Sequence, residues 1–304
     1  MNSFEQFSGQ KILITGASGF LGTHLCDRLT RGAEVHAVSR TLRTADTSCV
    51  HWWQGELSDI ATVRSLLCTI KPEVIFHLSG HVTGARNLDL VLSTFNSLLM
   101  TTVNLLTVAA EIGCRRVVLI GSLEEPEPGH TDAAPSSPYG AAKWACSAYG
   151  RMFNELYQVP VVIVRPFMTY GPGQDIRKII PSVTLSLLQG QAPKLSSGQR
   201  QVDWIYVDDV IDGLLAAAQV SNVEGCTLDL GSGILIPIRA VVQQLVNLIG
   251  SGVEPLFGAL PDRPLEQVRV ANTAYSYTKL GWQPVTSLER GLELTVDWYK
   301  GQLN

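Results

Sequence analysis

Nearly continuous apolar runs recur along the first half of the chain: KILIT (11–15), EVHAVS (34–39), EVIFHLS (73–79), RRVVLIGS (115–122) and VPVVIVRP (159–166). They are rich in Val and Ile and lack polar alternation, which predicts strands covered on both faces, as in a parallel sheet. Between them the period changes. Leu21, Leu25 and Leu29 recur every four residues, and Leu98, Val103, Leu105, Leu106 and Ala109 make a second stripe, the pattern of helices packed by one face. Strand alternating with helix predicts a doubly wound α/β fold. After Pro166 the texture shifts. Gly171, Pro172 and Gly173 cluster, IPSVTLSLLQG reads as a short helix, and a turn follows at Ser196–Gly198. An amphipathic helix from Ala240 to Ile249, a loop with Pro255, Pro261 and Pro264, and a last helix through VDWYK complete the chain. The expected organisation is a sheet domain over 1–165 with 201–233, and a smaller C-terminal lobe over 166–200 with 234–304.

Composition narrows the function. The 304 residues are 45% hydrophobic and 16% charged, against about 25% charged in an average domain, so a large core is expected and disorder is excluded as the main state. A net charge of −4 and no basic stripe exclude nucleic acid as a partner. No uninterrupted apolar run reaches the roughly 18 residues of a membrane span, and MNSFEQFSGQK shows no basic stretch ahead of an apolar one, so neither membrane nor signal peptide is expected. Six cysteines (Cys26, Cys49, Cys68, Cys114, Cys146, Cys226) stand without CxxC and six histidines without HxxxH. They read as free thiols in a cytoplasmic protein with no metal site.

Directly after the first strand stands TGASGFLG. Gly16 allows a tight turn out of the strand, Gly19 lets backbone approach a pyrophosphate, and Gly22 lets the helix pack close to the sheet. The helix N-terminus then offers free N–H groups to phosphate. This context, between a strand and a helix, marks a dinucleotide site in a Rossmann-type fold, with Gly16, Ser18, Gly19, Phe20, Leu21 and Gly22 as its candidate residues. Binding of NAD calls for Asp or Glu at the end of the second strand. Here that strand ends Ser39-Arg40, with Arg43 close behind. A guanidinium pairs with a 2′-phosphate where a carboxylate repels it, so NADP(H) is expected over NAD(H).

Tyr139 and Lys143 stand four apart in SPYGAAK, a spacing that puts both on one helix face. An ammonium beside a phenol lowers a pKa of about 10, and such a tyrosine can exchange a proton with a carbonyl or alcohol oxygen. Ser122 ends the run 115–122, on the sheet edge where open α/β sheets bind ligands, and its hydroxyl can hold the same oxygen.

TGASGFLG, Ser122, YGAAK, RPFMTYGPG (165–173), VDWIYVDDV (202–210) and LGW with a terminal WY helix resemble the extended short-chain dehydrogenase/reductases, and within them the nucleotide-sugar epimerase/dehydratase group. The resemblance spans nearly the whole chain. It implies that Ser122, Tyr139 and Lys143 are catalytic and that Lys143 also holds the nicotinamide ribose. GELSD (55–59) resembles the segment at the adenine, giving Glu56 and Leu57. HLSG resembles the segment along the nicotinamide ribose and phosphates, giving Leu78, Ser79 and Gly80, and Pro166 joins them. The sugar diphosphate falls to the second lobe, with Arg177, Lys178, Arg200 and Arg263 as candidates, and His81, Thr83 and Met168 toward the sugar. Helices around 94–112 and 138–157 resemble those that pair across a homodimer.

Departures from the pattern refine the reading. Sugar 4,6-dehydratases resemble S-T-D-E, with an acid directly after the catalytic hydroxyl, whereas here Leu123 follows Ser122 and Glu124-Glu125 come next. Leu123 cannot protonate a leaving hydroxyl. The GS-x-EE run is closer to 4-keto-sugar reductases, with Glu124 facing the substrate. Met168 replaces an Asn, and Val202 an Arg often used on phosphate, with Arg200 as its substitute. The expected activity is an NADPH-dependent reduction of a nucleotide-activated keto-sugar, with a nucleotide-sugar 4-epimerase as the alternative, then a non-sugar ketoreductase or a non-catalytic NADP-binding protein. Trp52, Trp53 and Trp204 read as core aromatics, and Asp208 and Asp209 as structural acids at a helix start.

Overall fold

A computed structural model describes residues 7–41, 43, 50–126, 134–263 and 267–303; Cys49 and Pro264 lie outside them. The chain forms two compact units: residues 1–165 with 211–228 and 278–282, and residues 166–210 with 229–277 and 283–304.

Along the first part run β1 (Lys11–Thr15), α1 (Phe20–Leu29), β2 (Glu34–Ser39), β3 (Val50–Gln54), α2 (Ile60–Ile70) and β4 (Val74–His77). Then come α3 (Leu90–Thr94), a π-helical turn (Phe95–Met100), α4 (Thr101–Ile112), β5 (Arg116–Ile120), α5 (Pro138–Tyr157) and β6 (Val161–Pro166). The rest comprises β7 (Met168–Tyr170), α6 (Ile179–Leu188), β8 (Lys194–Leu195), β9 (Gln201–Tyr206), α7 (Val207–Gln219) and β10 (Thr227–Leu230). It ends with β11 (Leu235–Pro237), α8 (Ile238–Ile249), β12 (Leu256–Phe257), α9 (Thr273–Leu280) and α10 (Leu288–Leu303).

Seven strands line up as β10-β6-β5-β4-β1-β2-β3, and the pairs from β6 to β3 are parallel. This is the doubly wound Rossmann arrangement. Strand order reverses between β1 and β4, so the loops after these two strands flank the crevice where such sheets bind ligands. The five apolar runs became β1, β2, β4, β5 and β6. Two strands escaped the pattern: β3 is VHWWQ, half-exposed at the sheet edge, and β10 has four residues, TLDL.

The helices follow their stripes. In α2, Val63, Leu66, Leu67 and Ile70 are buried at i, i+3, i+4 and i+7, and Asp59 caps the N-terminus by accepting from the N–H groups of Ala61 and Thr62. Each such side chain contributes about 1.5–3 kcal/mol by leaving water. Leu90–Ile112 is one continuous helix of 23 residues, which by length and composition suffices to cross a membrane. This corrects the sequence expectation, which stopped at the Ser, Thr and Asn residues that break the apolar run. Its placement is that of a core helix: it packs on α2 and α5, and the Asn104 amide donates to the carbonyls of Leu57 and Ser58 at 3.0 and 2.9 Å.

In the second unit β9 pairs with β7 in parallel and with β11 antiparallel. The expectation that residues 201–210 belong with the sheet domain is corrected here, because these pairings hold β9 in the second unit, whereas residues 227–230 form β10 of the seven-stranded sheet. Asp203, 1% exposed, organises it: its carboxylate accepts from the N–H groups of Ser232, Gly233 and Ala271 and from the Ser232 hydroxyl. Asp209 accepts from the N–H groups of Val285 and Thr286 at 3.1 and 3.0 Å. Helices α6, α8 and α10 pack on one another.

Candidate active site

The glycine loop is shaped by contacts that leave no space for side chains. Gly16 has φ +67°, and a Cβ on it would lie 2.7 Å from the Ser79 nitrogen and 2.8 Å from the Leu78 carbonyl. The turns after β1 and β4 thus touch at the switch point, backbone to backbone. A Cβ on Gly22 would lie 2.6 Å from the Ala17 Cα, so α1 sits directly on the turn. Gly19 caps α1 without a side chain, which leaves the first N–H groups of a ten-residue helix for an external anion. Ser18 is exposed, and Phe20 and Leu21 are half-buried on the first turn. This cradle fits a dinucleotide pyrophosphate.

Beneath it runs a directional hydrogen-bond chain that the sequence did not announce. The Ser79 N–H donates to the Thr15 hydroxyl (3.3 Å), which lies 2.8 Å from His77 Nδ1, and His77 Nε2 lies 3.2 Å from the Thr102 hydroxyl. Thr102 in turn donates to the Leu98 carbonyl at 2.7 Å. With Thr102 donating onward, His77 carries its proton on Nε2 and accepts at Nδ1. Burial, reinforced by the Lys143 charge, pushes His77 down to about 3, so the ring is neutral.

At the end of β2, Ser39 is buried and Arg40 exposed. The Ser39 hydroxyl accepts from the Thr41 N–H at 3.3 Å, and the Arg43 guanidinium lies 5.4 Å from the centre of the Trp52 ring. Two cations therefore stand where a carboxylate would select NAD. Glu56 is exposed and accepts from Ser58, while Leu57 is buried.

The proton-transfer group assembles where β5 meets α5. Ser137 caps α5 by accepting from the Gly140 N–H at 3.0 Å, and Pro138 takes the first helical position, as the sequence SSP dictates. Tyr139, Lys143 and Ser147 then fall on one face. Lys143 Nζ donates to the Ile120 carbonyl at 2.8 Å. Ser122 lies just beyond β5, accepts from the Glu124 N–H at 3.1 Å, and hydrogen-bonds Tyr139. Ser122, Tyr139 and Lys143 are all buried.

The electrostatics correct one expectation. Burial, not Lys143, sets the phenol. It pushes Tyr139 well above the usual tyrosine range; the Ser122 hydrogen bond opposes this and the carboxylates of Glu124 and Glu125 add to it. Lys143 is itself pushed down by burial, with its ammonium turned to Ile120. Glu124 is occupied at the helix cap: its Oε2 accepts from the hydroxyls of Ser137 (2.9 Å) and Ser136 (3.3 Å). Glu125, which sequence reading left without a role, is 2% exposed and accepts from the Ser122 N–H at 2.7 Å and from the Ser147 hydroxyl at 2.9 Å. The only signal for it was a second Glu three residues after the serine.

The sheet unit also carries His81, exposed, and Thr83, half-buried and accepting from the Ala85 N–H. The remaining candidates belong to the second unit. Pro166 and Met168 are half-buried. Arg177 is exposed and paired with Asp175, which holds that carboxyl well below its usual range. Lys178 begins α6. Arg200 donates to the Gln267 carbonyl at 3.2 Å, and Arg263 is exposed.

A Rossmann sheet opening on a glycine loop, with Ser, Tyr and Lys converging at the end of its fifth strand, defines an extended short-chain dehydrogenase/reductase, an NAD(P)-dependent enzyme. More narrowly, residues 12–231 match the model of the NAD dependent epimerase/dehydratase family, and the chain belongs to that family. It is 29% identical to a UDP-glucose 4-epimerase of Mycolicibacterium smegmatis, over 96% of this chain and 99% of the relative. It is also 29% identical to UDP-glucuronic acid decarboxylase 1 of Xenopus tropicalis, over 97% of this chain and 73% of the relative. The solved UDP-glucose 4-epimerase of Thermotoga maritima, with UDP-glucose, matches it with a TM-score of 0.87 at 25% identity, over 96% of this chain and 99% of that one.

Proposed function

We propose that the protein is a nucleotide-sugar 4-epimerase that takes NADP(H) in preference to NAD(H). The observation that carries the reading is the convergence of Ser122, Tyr139 and Lys143 with no acid directly after the serine. Leu123 stands there, and Glu124 is tied to Ser136 and Ser137. Such a group can shuttle one proton between a sugar hydroxyl and a phenolate, and it lacks the extra acid that expulsion of a hydroxyl requires. The end-to-end likeness to a UDP-glucose 4-epimerase supports the same reading and puts it ahead of the ketoreductase favoured by sequence.

In the glycine loop a bound nicotinamide dinucleotide supplies the hydride acceptor and donor and, when oxidised, a positive charge. As phenolate, Tyr139 would take the C4 hydroxyl proton, and as phenol it would return it to the same oxygen. Ser122 holds that oxygen, and Lys143, docked on the Ile120 carbonyl, holds the helix face that carries Tyr139. Gly16, Gly19 and Gly22 bring backbone to the pyrophosphate, Glu56 and Leu57 border the adenine, and Leu78–Gly80 line the ribose. In the second unit, Met168, Arg177, Arg200 and Arg263 are the residues assigned to the sugar nucleotide. Leu92, Phe95, Leu156 and Tyr157, all exposed, meet their copies in a homodimer; a monomer in light scattering overturns that.

A keto-sugar reductase is the second reading, favoured by Arg40 and Arg43 where a carboxylate would select NAD. The test is to release and identify any bound dinucleotide, then follow paired UDP-sugars differing only at C4 by NMR. Interconversion that Tyr139→Phe abolishes supports the epimerase. Full turnover in Tyr139→Phe overturns the catalytic assignment, and NADPH-dependent consumption of a keto-sugar without interconversion favours the reductase.

A further inference from the structure

The geometry points to Glu125 as a positioning residue that fixes the Ser122 backbone and serves as buried counter-charge to Lys143. The inference rests on the reading of Ser122, Tyr139 and Lys143 as catalytic.

Three contacts converge on the end of β5. Lys143 Nζ donates to the Ile120 carbonyl at 2.8 Å, the Ser122 N–H donates to Glu125 at 2.7 Å, and the Ser147 hydroxyl donates to the same Glu125 oxygen at 2.9 Å. The carboxylate therefore bridges the β5 terminus to α5, one helical turn beyond Lys143. The fit is tight: a Cβ on Gly121 would lie 2.5 Å from Glu125 Oε1 and 2.8 Å from Arg165 Cγ. Ser122 cannot shift its backbone without breaking a charge-assisted bond, and its hydroxyl is the group that meets Tyr139.

A buried carboxylate needs compensation. Donors come from Ser122 and Ser147, and positive charge from Arg165 on β6 and Lys143 on α5. The dependence is mutual. Burial drives Lys143 toward its neutral form, and Glu125 opposes this, while the neighbouring Cys146 thiol is itself pushed up by burial. Tyr139 faces Glu124 and Glu125, whose negative charge disfavours the phenolate, and the Cys146 thiol, which burial keeps protonated; His77 faces Lys143 and is neutral. Glu125 thus opposes loss of the Lys143 proton and disfavours the Tyr139 phenolate.

The test compares Glu125→Gln, which keeps the acceptor and loses the charge, with Glu125→Ala, which loses both. Amide exchange read by mass spectrometry on the peptide around Ser122 is expected to speed about tenfold or more in E125A, as for loss of a bond to a charged acceptor, and to stay near the parent rate in E125Q. In E125Q both limbs of the kcat pH profile are expected to move to lower pH, by roughly half a unit to two units for one nearby charge. A merely structural role lowers the profile without moving it. Unchanged exchange in E125A overturns the clamp, and unmoved limbs in E125Q overturn the counter-charge. Exchange needs no turnover, so a failed Tyr139 assignment, seen as full activity in Y139F, is told apart from a failed clamp.

Discussion

Lys143 is docked by its ammonium on the carbonyl of Ile120, the last residue of β5, at 2.8 Å. That bond couples helix to strand at the point where Ser122 and Tyr139 meet, so the lysine sets geometry as well as charge. Lys143→Met keeps the length of the stem and removes both. Turnover is expected to fall about 10²–10⁴-fold, the usual range for loss of acid–base assistance, and the thermal midpoint to fall with it, because the Glu125 carboxylate and the Ile120 carbonyl lose their partner. Steady-state kinetics and a melting curve check the two halves.

Gly22 carries the packing of α1 on the turn after β1. Gly22→Ala would place a methyl against backbone, 2.6 Å from the Ala17 Cα, and backbone cannot rotate away. The helix N-terminus must move and phosphate affinity goes with it. Dinucleotide binding, followed by fluorescence titration, is expected to weaken at least tenfold, with a far-ultraviolet circular dichroism spectrum like the parent's.

Arg40 separates the two cofactors. In Arg40→Ala, affinity for the 2′-phosphorylated dinucleotide is expected to fall about 10–100-fold, the worth of hydrogen bonds to a charged group. Affinity for the unphosphorylated form should hold within a factor of two or so, which calorimetric titration of both would check. Equal losses for both would return Arg40 to the status of a surface charge.

His77 predicts an acid weakness. Its folded pKa, about 3, lies below the ordinary histidine value of 6.5, so below 6.5 the unfolded chain binds a proton the folded one refuses. Stability therefore falls as pH drops through 6.5 toward 3, by up to about 1.4 kcal/mol per unit. Between pH 7 and pH 5 the loss is about 2 kcal/mol, and it should vanish in His77→Gln. Urea unfolding at the two pH values measures it.

The parallel sheet, the glycine loop and the Tyr139–Lys143 face were all legible in the chain, because each has a short-range signature: apolar runs, a glycine spacing, a four-residue interval. Strand β3 was not, since an edge strand with His51, Trp52 and Trp53 half in solvent lacks a buried run. The ionisation of Tyr139 was misjudged for a similar reason. Sequence spacing puts the lysine beside the phenol, but only the fold reveals that the ammonium turns to Ile120 and that burial governs the ring. Glu124 and Glu125 looked equivalent as neighbours. One joins the cap of α5, the other points into the protein, and that division depends on contacts made 12 to 22 residues away.

The wide turn at Phe95–Met100 gives the helix from Leu90 to Ile112 two phases. A π-turn holds one residue more than an α-turn, so the side chains ahead of it are rotated by about 100° relative to those behind. That offset lets Leu105, Leu106 and Ala109 face the core while Val91, Leu92 and Phe95 stand exposed. For chain-length variation the consequence is asymmetric. Losing one residue within 95–100 leaves a regular helix but swings its first turns, together with the His81–Thr83 loop that leads into them. One insertion or deletion there redirects that loop more than any single side-chain exchange on it.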